Sequence, residues 1–367
     1  MEVTPLMASF WHGKRVLVTG HTGFKGAWLS LWLHHLGAEV HGYALPPHTT
    51  PNLFDCCNLQ QVLHHHVGDI LHPKHFQQVA HDCQPEIVLH LAAQALVRES
   101  YRDPLTTFNT NVMGTANVLN GLREKTSLKV VLAITTDKVY REDQSTFPYR
   151  ENDPLGGHDP YSASKAAAEL VIDSYREVFF AKQGVALATA RAGNVIGGGD
   201  WSTDRLLPDA IRAWQSQQTL QIRRPEAIRP WQHVLEPLAG YLMLAEQLYH
   251  QPSRAGAYNF GPLPHEAATV KHVIQRGASL FQQFSTTPFN IESCVEWPTT
   301  ESGPREAPWL ALETAKARTQ LGYIPRWDLS NGLARTVEWY CRHYAGENAR
   351  TLCLEQIATF TSAEANS

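Results

Sequence analysis

Cysteine is scarce in this chain, and what there is stands at the wrong spacing for a scaffold. Six cysteines occur in 367 residues: Cys56 and Cys57 are adjacent, Cys83, Cys294, Cys341 and Cys353 are scattered, and there is no CxxC pair. That excludes a disulfide-dense fold and a cysteine-based zinc module, and leaves thiols that read as buried or incidental. Long hydrophobic runs are missing too. Apolar stretches such as Val130–Ile134 fall far short of the roughly 20 residues that cross a bilayer. Neither sign of charge dominates: 31 Lys and Arg oppose 35 Asp and Glu, a formal net charge of −4. No global basic field therefore points to nucleic acid or an anionic membrane. Met1-Glu2-Val3-Thr4-Pro5 lacks the basic and apolar regions of a secretory signal. The expectation is a soluble, cytoplasmic protein, and 43% hydrophobic with 18% charged residues makes it globular.

Histidine is plentiful by contrast. His64-His65-His66, His72, His75, His81 and Cys83 crowd one stretch. Density alone does not make a metal site, because ligands must converge. No HxxxH or HExxH spacing accompanies the run, and three consecutive histidines beside a strand start alternate faces. The reading is no metal.

The first two hundred residues alternate short β-branched runs with longer helical patterns, which predicts a parallel α/β sheet. Strands are expected at 14–19, 39–43, near 65–67, at 86–91, 129–135 and 185–190. A turn is expected at 82–85. Helices are expected at 24–36 (ended by Gly37), 106–125, and 161–182 (stopped by Gly184). Repeated βαβ units of this kind make a Rossmann-type doubly wound sheet. After Asn194 the texture changes. A glycine loop at 197–200 precedes helices at 208–217, 233–249, 269–284 and 331–344. A short strand is expected at 258–261, a proline-rich stretch at 225–237, and a Trp/Pro-rich loop at 297–309. The expected division is a nucleotide-binding domain from 10–193 with 232–262 and a smaller mixed α/β substrate lobe from 194–231 with 263–350. The last stretch, 351–367, is expected to be a tail, polar from 359 on.

Gly20-His21-Thr22-Gly23-Phe24-Lys25-Gly26 follows the first strand and opens the first helix. Gly20 suits the tight turn, Gly23 lets the backbone approach a pyrophosphate, and Gly26 lets helix pack on strand. The helix N-terminus is then an anion site. The loop lacks the GK[ST] ending of a Walker motif, which argues against an NTPase. A dinucleotide fold usually carries Asp or Glu after its second strand, or a cation there for a 2′-phosphate. Gly42-Tyr43-Ala44-Leu45 supplies neither, and the missing cation tilts the reading to NAD. Asp69 suits an adenine contact or a simple turn cap equally well.

Thr135-Thr136-Asp137-Lys138 ends a buried strand, at the edge where open α/β sheets bind ligands. Tyr161 and Lys165 stand four apart on a helix and so share one face. A nearby ammonium and an oxidised nicotinamide would favour the phenolate.

Together these features resemble the extended short-chain dehydrogenase/reductase superfamily, in its sugar-nucleotide branch. His90–Gln94, Asp103-Pro104, Asn111–Thr115 and Arg229–Val234 look like further landmarks, so the resemblance covers nearly the whole chain. It implies that Thr136 bonds the sugar 4-hydroxyl, that Tyr161 removes its proton, and that Lys165 holds the nicotinamide ribose. It also implies that Thr22, Phe24, Asp69, Ile70, Leu91, Ala92 and Ala93 line the cofactor beside the three glycines. Asn194, Arg229 and, more weakly, Arg205 and Arg305 would contact the substrate diphosphate. The two long helices would build a dimer, or a dimer of dimers, through a four-helix bundle.

Asp137-Lys138 separates activities within the branch, because fold alone does not. Epimerases usually have small or apolar residues there. Dehydratases carry an acid and then a base, since elimination of water across carbons 5 and 6 needs both proton partners. Thr-Asp-Lys is similar to the pattern of the dehydratases that use CDP-glucose, and Pro51-Asn52-Leu53-Phe54 strengthens that likeness. The implied substrate is CDP-glucose, the cofactor NAD, and the setting deoxysugar biosynthesis for lipopolysaccharide. Lys138 reads either as the carbon 5 base or as a charge that stabilises the enolate. An epimerase or decarboxylase, and a catalytically silent NAD-binding scaffold, are the rival readings.

Overall fold

The computed structural model describes residues 6–142, 147–290, 294–298 and 310–362. Seven strands form one parallel sheet: β1 (Arg15–Thr19), β2 (Glu39–Ala44), β3 (His64–Val67), β4 (Ile87–His90), β5 (Val130–Ile134), β6 (Ala186–Ala192) and β7 (Ala257–Phe260). Their spatial order is β7-β6-β5-β4-β1-β2-β3. The chain winds outward from β1 in both directions, so the switch point lies between β1 and β4, where such sheets open a crevice for ligands. Every residue of β4, β5 and β6 is buried, as expected for parallel strands covered on both faces.

Helix α1 (Phe24–His35) shows no clear amphipathic stripe, and Trp28 and Trp32 are both buried. A helix apolar all round must be covered all round. The C-terminal segment supplies that cover, which corrects the expectation of a tail: Ala349–Ser362 is a helix with Leu352, Cys353, Ile357 and Phe360 buried. Phe360 meets Trp32 edge-on at 5.8 Å, and its carbonyl accepts from Arg326 at 2.6 Å. Its buried positions were hidden among Thr, Ala and Glu, which gave the segment a polar texture.

Helix α2 (Pro73–Cys83) fills a stretch that the sequence left unassigned up to 81 and extends two residues into the expected turn at 82–85, ending at left-handed Gln84. The two long helices are broken in register. The first begins at Pro104, capped by Asp103, runs through a π turn at Asn109–Gly114, and continues as α3 (Thr115–Leu122). The second is α4 (Pro160–Tyr175), capped by Asp159, followed by a π turn at Arg176–Phe180 and a 3-10 turn that ends at left-handed Gly184. A π turn inserts one residue and re-aims those beside it.

Beyond β6 come α5 (Leu206–Gln215), α6 (Leu235–His250), α7 (Val270–Phe284), α8 (Leu329–Tyr344) and α9 (Ala349–Ser362). Two-residue ladders pair Val195-Ile196 with Gln232-His233, and Ile228-Arg229 with Ala268-Thr269. The loop after β6 is thereby fastened over the carboxyl edge of the sheet.

Candidate active site

The glycine loop is built as its sequence suggests. Gly20 has φ +77°, and a Cβ there would stand 2.7 Å from the Ala92 nitrogen. A Cβ on Gly26 would stand 2.1 Å from the Gly20 carbonyl oxygen. Both positions demand glycine for the fold itself. Gly23 differs: its added Cβ would meet only the Gly20 oxygen, at 3.5 Å, an ordinary contact. Nothing in the protein requires glycine there, so the free space lies on the ligand side. Gly23 is also the N-cap of α1 and offers no side-chain cap, which leaves the first N–H groups of a twelve-residue helix aimed outward. That is an anion cradle.

Around it, the Thr22 hydroxyl donates to the Leu45 carbonyl at 2.9 Å, and Phe24 and Leu91–Ala93 are half-buried. The Ala92 N–H donates to the Thr19 hydroxyl oxygen at 3.2 Å, which locks the strand-end loops together. Asp69 accepts from the Leu71 N–H at 2.9 Å, so one carboxylate oxygen serves as a turn cap. Ile70 is core, packed where Gly114 leaves room.

At the end of β5, Thr136 caps a 3-10 turn over Asp137–Val139. Its hydroxyl donates to Asp137 Oδ1 at 2.9 Å and also bonds the Tyr161 side chain. Asp137 is buried, and its Oδ2 has no hydrogen-bond partner. Burial pushes its carboxyl above the ordinary range, against the opposing pull of Lys138, the Thr136 hydrogen bond, Arg229 and Lys25. Burial likewise pushes the Tyr161 phenol up to about 12, while the Thr136 bond and the Arg205 charge act the other way. The Lys165 ammonium is brought down to about 8 by burial and donates to the Ile134 carbonyl at 3.2 Å. Thus Thr136, Asp137, Lys138, Tyr161 and Lys165 meet at one strand end, but the chain's own charges do not by themselves acidify Tyr161.

Of the expected diphosphate ligands, Arg205 lies with its charge acting on both Tyr161 and Lys25, and its Nε is 3.8 Å from Asp200 Oδ2. Arg229 is buried and acts on Asp137. Asn194 is half-buried, and its carbonyl accepts from the Gln232 N–H at 3.0 Å. Arg305 lies outside the described residues.

Three contributors were given no role by sequence reasoning, although Asn111 stood among its landmarks. Lys25 emerges from the first turn of α1 into the same cleft, and desolvation, Arg205 and Lys165 draw it down to about 7 against the pull of Asp137. Its half-buried position was signalled only by its place between Gly23 and Gly26. Asn111 sits in the π turn, donates to the Gln94 carbonyl and the Ser164 hydroxyl, and accepts from the Gln94 N–H. Glu169 sits under the site and accepts from Thr135, Thr189 and Arg191. Its spacing from Lys165 is four, a signal that was available.

A parallel sheet with a glycine cradle at its switch point and a Thr–Tyr–Lys set on the neighbouring strand end defines an extended short-chain dehydrogenase/reductase. Residues 17–336 match the family model of GDP-mannose 4,6 dehydratase. A CDP-glucose 4,6-dehydratase of Salmonella typhimurium is 44% identical over 97% of this chain and 98% of that relative. A dTDP-glucose 4,6-dehydratase of Xanthomonas campestris is 25% identical over 88% of this chain and 92% of its own. Among solved structures, a dTDP-glucose 4,6-dehydratase of Streptomyces venezuelae with NAD bound superposes with TM-score 0.74 at 23% identity, covering 89% of this chain and 96% of its own. The chain belongs to the GDP-mannose 4,6-dehydratase family, within the extended short-chain dehydrogenases/reductases. Among the described residues no helix is long and apolar enough to cross a membrane.

Proposed function

We propose that the chain is an NAD-dependent nucleotide-sugar 4,6-dehydratase acting on CDP-glucose, in cytoplasmic deoxysugar biosynthesis for lipopolysaccharide. The observation that carries the reading is the buried Asp137, with one unpaired oxygen, beside the Thr136–Tyr161 pair. An epimerase has no use for a second acid at that point. The cradle fits the cofactor: Gly23 leaves its ligand side open, and the uncapped start of α1 faces it. Gly20, Gly23 and Gly26 with Thr22 and Phe24 would hold the pyrophosphate, Asp69 and Ile70 the adenosine end, and Leu91–Ala93 with Lys165 the nicotinamide half.

NAD, when bound, supplies a hydride acceptor for sugar carbon 4 and a hydride donor for carbon 6. Thr136 orients the sugar 4-hydroxyl and Tyr161 takes its proton. The raised Tyr161 pKa means that this base would need an added positive charge, which is chemistry that oxidised nicotinamide would supply. The resulting ketone acidifies carbon 5. Lys138 either takes that proton as a free amine or stabilises the enolate as a charge, and Asp137, whose burial favours its protonated form, protonates the departing 6-hydroxyl. Asn194, Arg205, Arg229 and Arg305 are assigned to the diphosphate end.

The assembly is assigned as a homodimer. Leu105, Phe108 and Met113 on the first long helical run, Tyr101 on the short helix Val97–Arg102 just before it, and Leu170 and Val178 on the second run are large exposed apolar side chains. Such a patch is unusual on a monomer.

Incubation with CDP-, dTDP-, UDP- and GDP-linked sugars, read by the alkali-induced absorbance of a 4-keto product, tests the substrate. Product from CDP-glucose is expected. A 4-epimer without 6-deoxy product, or product from another nucleotide alone, overturns the assignment.

A further inference from the structure

The histidine run looks unconvergent in sequence because consecutive residues of a strand point to opposite faces. Strand pairing supplies what the run lacks. In the β2–β3 ladder His41 stands directly opposite His64, and Tyr43 opposite His66. Residues 39, 41 and 43 share the face of 64 and 66, so Glu39 joins the same cluster. His41 Nε2 lies 3.1 Å from Glu39 Oε1, and His64 Nε2 lies 4.0 Å from the same oxygen. One donor atom from each of the three residues falls within 4.8 Å of the others. The His41 and His64 rings are 4.4 Å apart, and the His66 ring stands next in the stack, 5.8 Å from His41.

Tetrahedral zinc with bonds of about 2.0–2.1 Å sets its donors about 3.3 Å apart. The two carboxylate separations straddle that figure, and His64 and Glu39 are exposed enough to adjust. His41 Nδ1, the ring nitrogen opposite the one that meets Glu39, and His66 Nε2 are buried with no hydrogen-bond partner. His41 is itself only 9% exposed. A simple ion-pair ladder gives no reason to pack three imidazoles against one another in that state.

We propose that Glu39, His41 and His64 bind one zinc-class divalent ion as a clip across β2 and β3. Two imidazoles and one carboxylate suit borderline metals and not magnesium or calcium, which prefer all-oxygen shells. The fourth position is left to water. The clip is structural: β3 is the sheet edge, where unpaired backbone needs protection. His64 opens β3 and His41 sits mid-strand, whereas the chemistry lies beyond the strands' carboxyl ends.

The test uses the full-length, untagged chain stripped of metal by a chelator, titrated with zinc chloride by calorimetry and thermal melting. Cobalt(II) serves as the visible-absorbance probe of coordination. One zinc per chain, a higher melting temperature, and at least a tenfold weaker affinity in His64→Ala and Glu39→Gln are expected. Both changes lie on exposed side chains, so the variants should fold and keep wild-type turnover without added metal. The proposal is overturned if either variant binds zinc as the wild type does, if magnesium binds equally well, or if half an ion per chain shows a bridge between copies.

Discussion

Burial raises the Asp137 carboxyl even though Lys138, the Thr136 hydroxyl, Arg229 and Lys25 all favour its charged form. Removing that one proton donor separates the stages of the reaction. Asp137→Asn keeps the volume and a hydrogen-bonding head but cannot supply the acid, so elimination should slow by about 10²–10⁴-fold. Oxidation at carbon 4 would still proceed, and reduced nicotinamide should accumulate on mixing with CDP-glucose. Tyr161→Phe should lose a similar factor earlier, with no such rise. Stopped-flow near-ultraviolet absorbance distinguishes the two. Identical traces, with no accumulation in either variant, would remove Asp137 from the elimination step. The sign of the pH effect follows from the same burial. An acid is available only while protonated, so elimination should weaken as pH climbs through the raised Asp137 value.

The loop between β1 and α1 lets fold and cofactor be tested separately. Gly26→Ala places a methyl 2.1 Å from backbone oxygen, so it should lower the melting temperature whether or not cofactor is present. Gly23→Val points into space that the protein leaves free, so the fold should survive while calorimetric NAD binding is lost. Retained NAD binding by a folded Gly23→Val protein would contradict the pyrophosphate assignment. Elements of this kind were legible in the sequence. Glycines, a Tyr–Lys pair at helical spacing and continuous apolar strands each reflect a local constraint that only a few residue types satisfy. The π turns at Asn109–Gly114 and Arg176–Phe180 were not, because no residue type marks them; they answer to tertiary contacts such as the Asn111 bonds to Gln94 and Ser164. Nor was Lys25, whose half-buried surroundings include residues as distant in sequence as Arg205 and Tyr241. The His41–His64 pair belongs with these, since register between strands is not written within either strand.

Across the whole molecule, the segment after β7 is tied back onto α6 and α1, and Glu236 is one of the ties. It lies buried in the first turn of α6. Its Oε1 accepts from the Arg326 N–H at 3.0 Å and the Trp327 N–H at 2.7 Å. Arg326 in turn reaches α9 through the Phe360 carbonyl. That chain of bonds fastens the end of α9, whose apolar face is buried along its length, and it joins residues too far apart in sequence for any local pattern to show. Desolvation raises the Glu236 carboxyl from 4.5 to about 8, although those two N–H bonds and Arg326 oppose it. The folded state therefore holds a proton that the unfolded chain gives up. The resulting stability is fully present below pH 4.5 and is lost progressively as pH rises through about 8, on the order of a few kcal/mol. Glu236→Gln keeps a carbonyl oxygen for the Arg326 and Trp327 N–H groups but has no proton to lose. Melting temperatures of the two proteins should lie close together in acid and diverge in favour of Gln as pH rises across that window. A constant offset between them at every pH would show that Glu236 is not protonated in the folded state, and the tie would then be a buried carboxylate held by backbone amides.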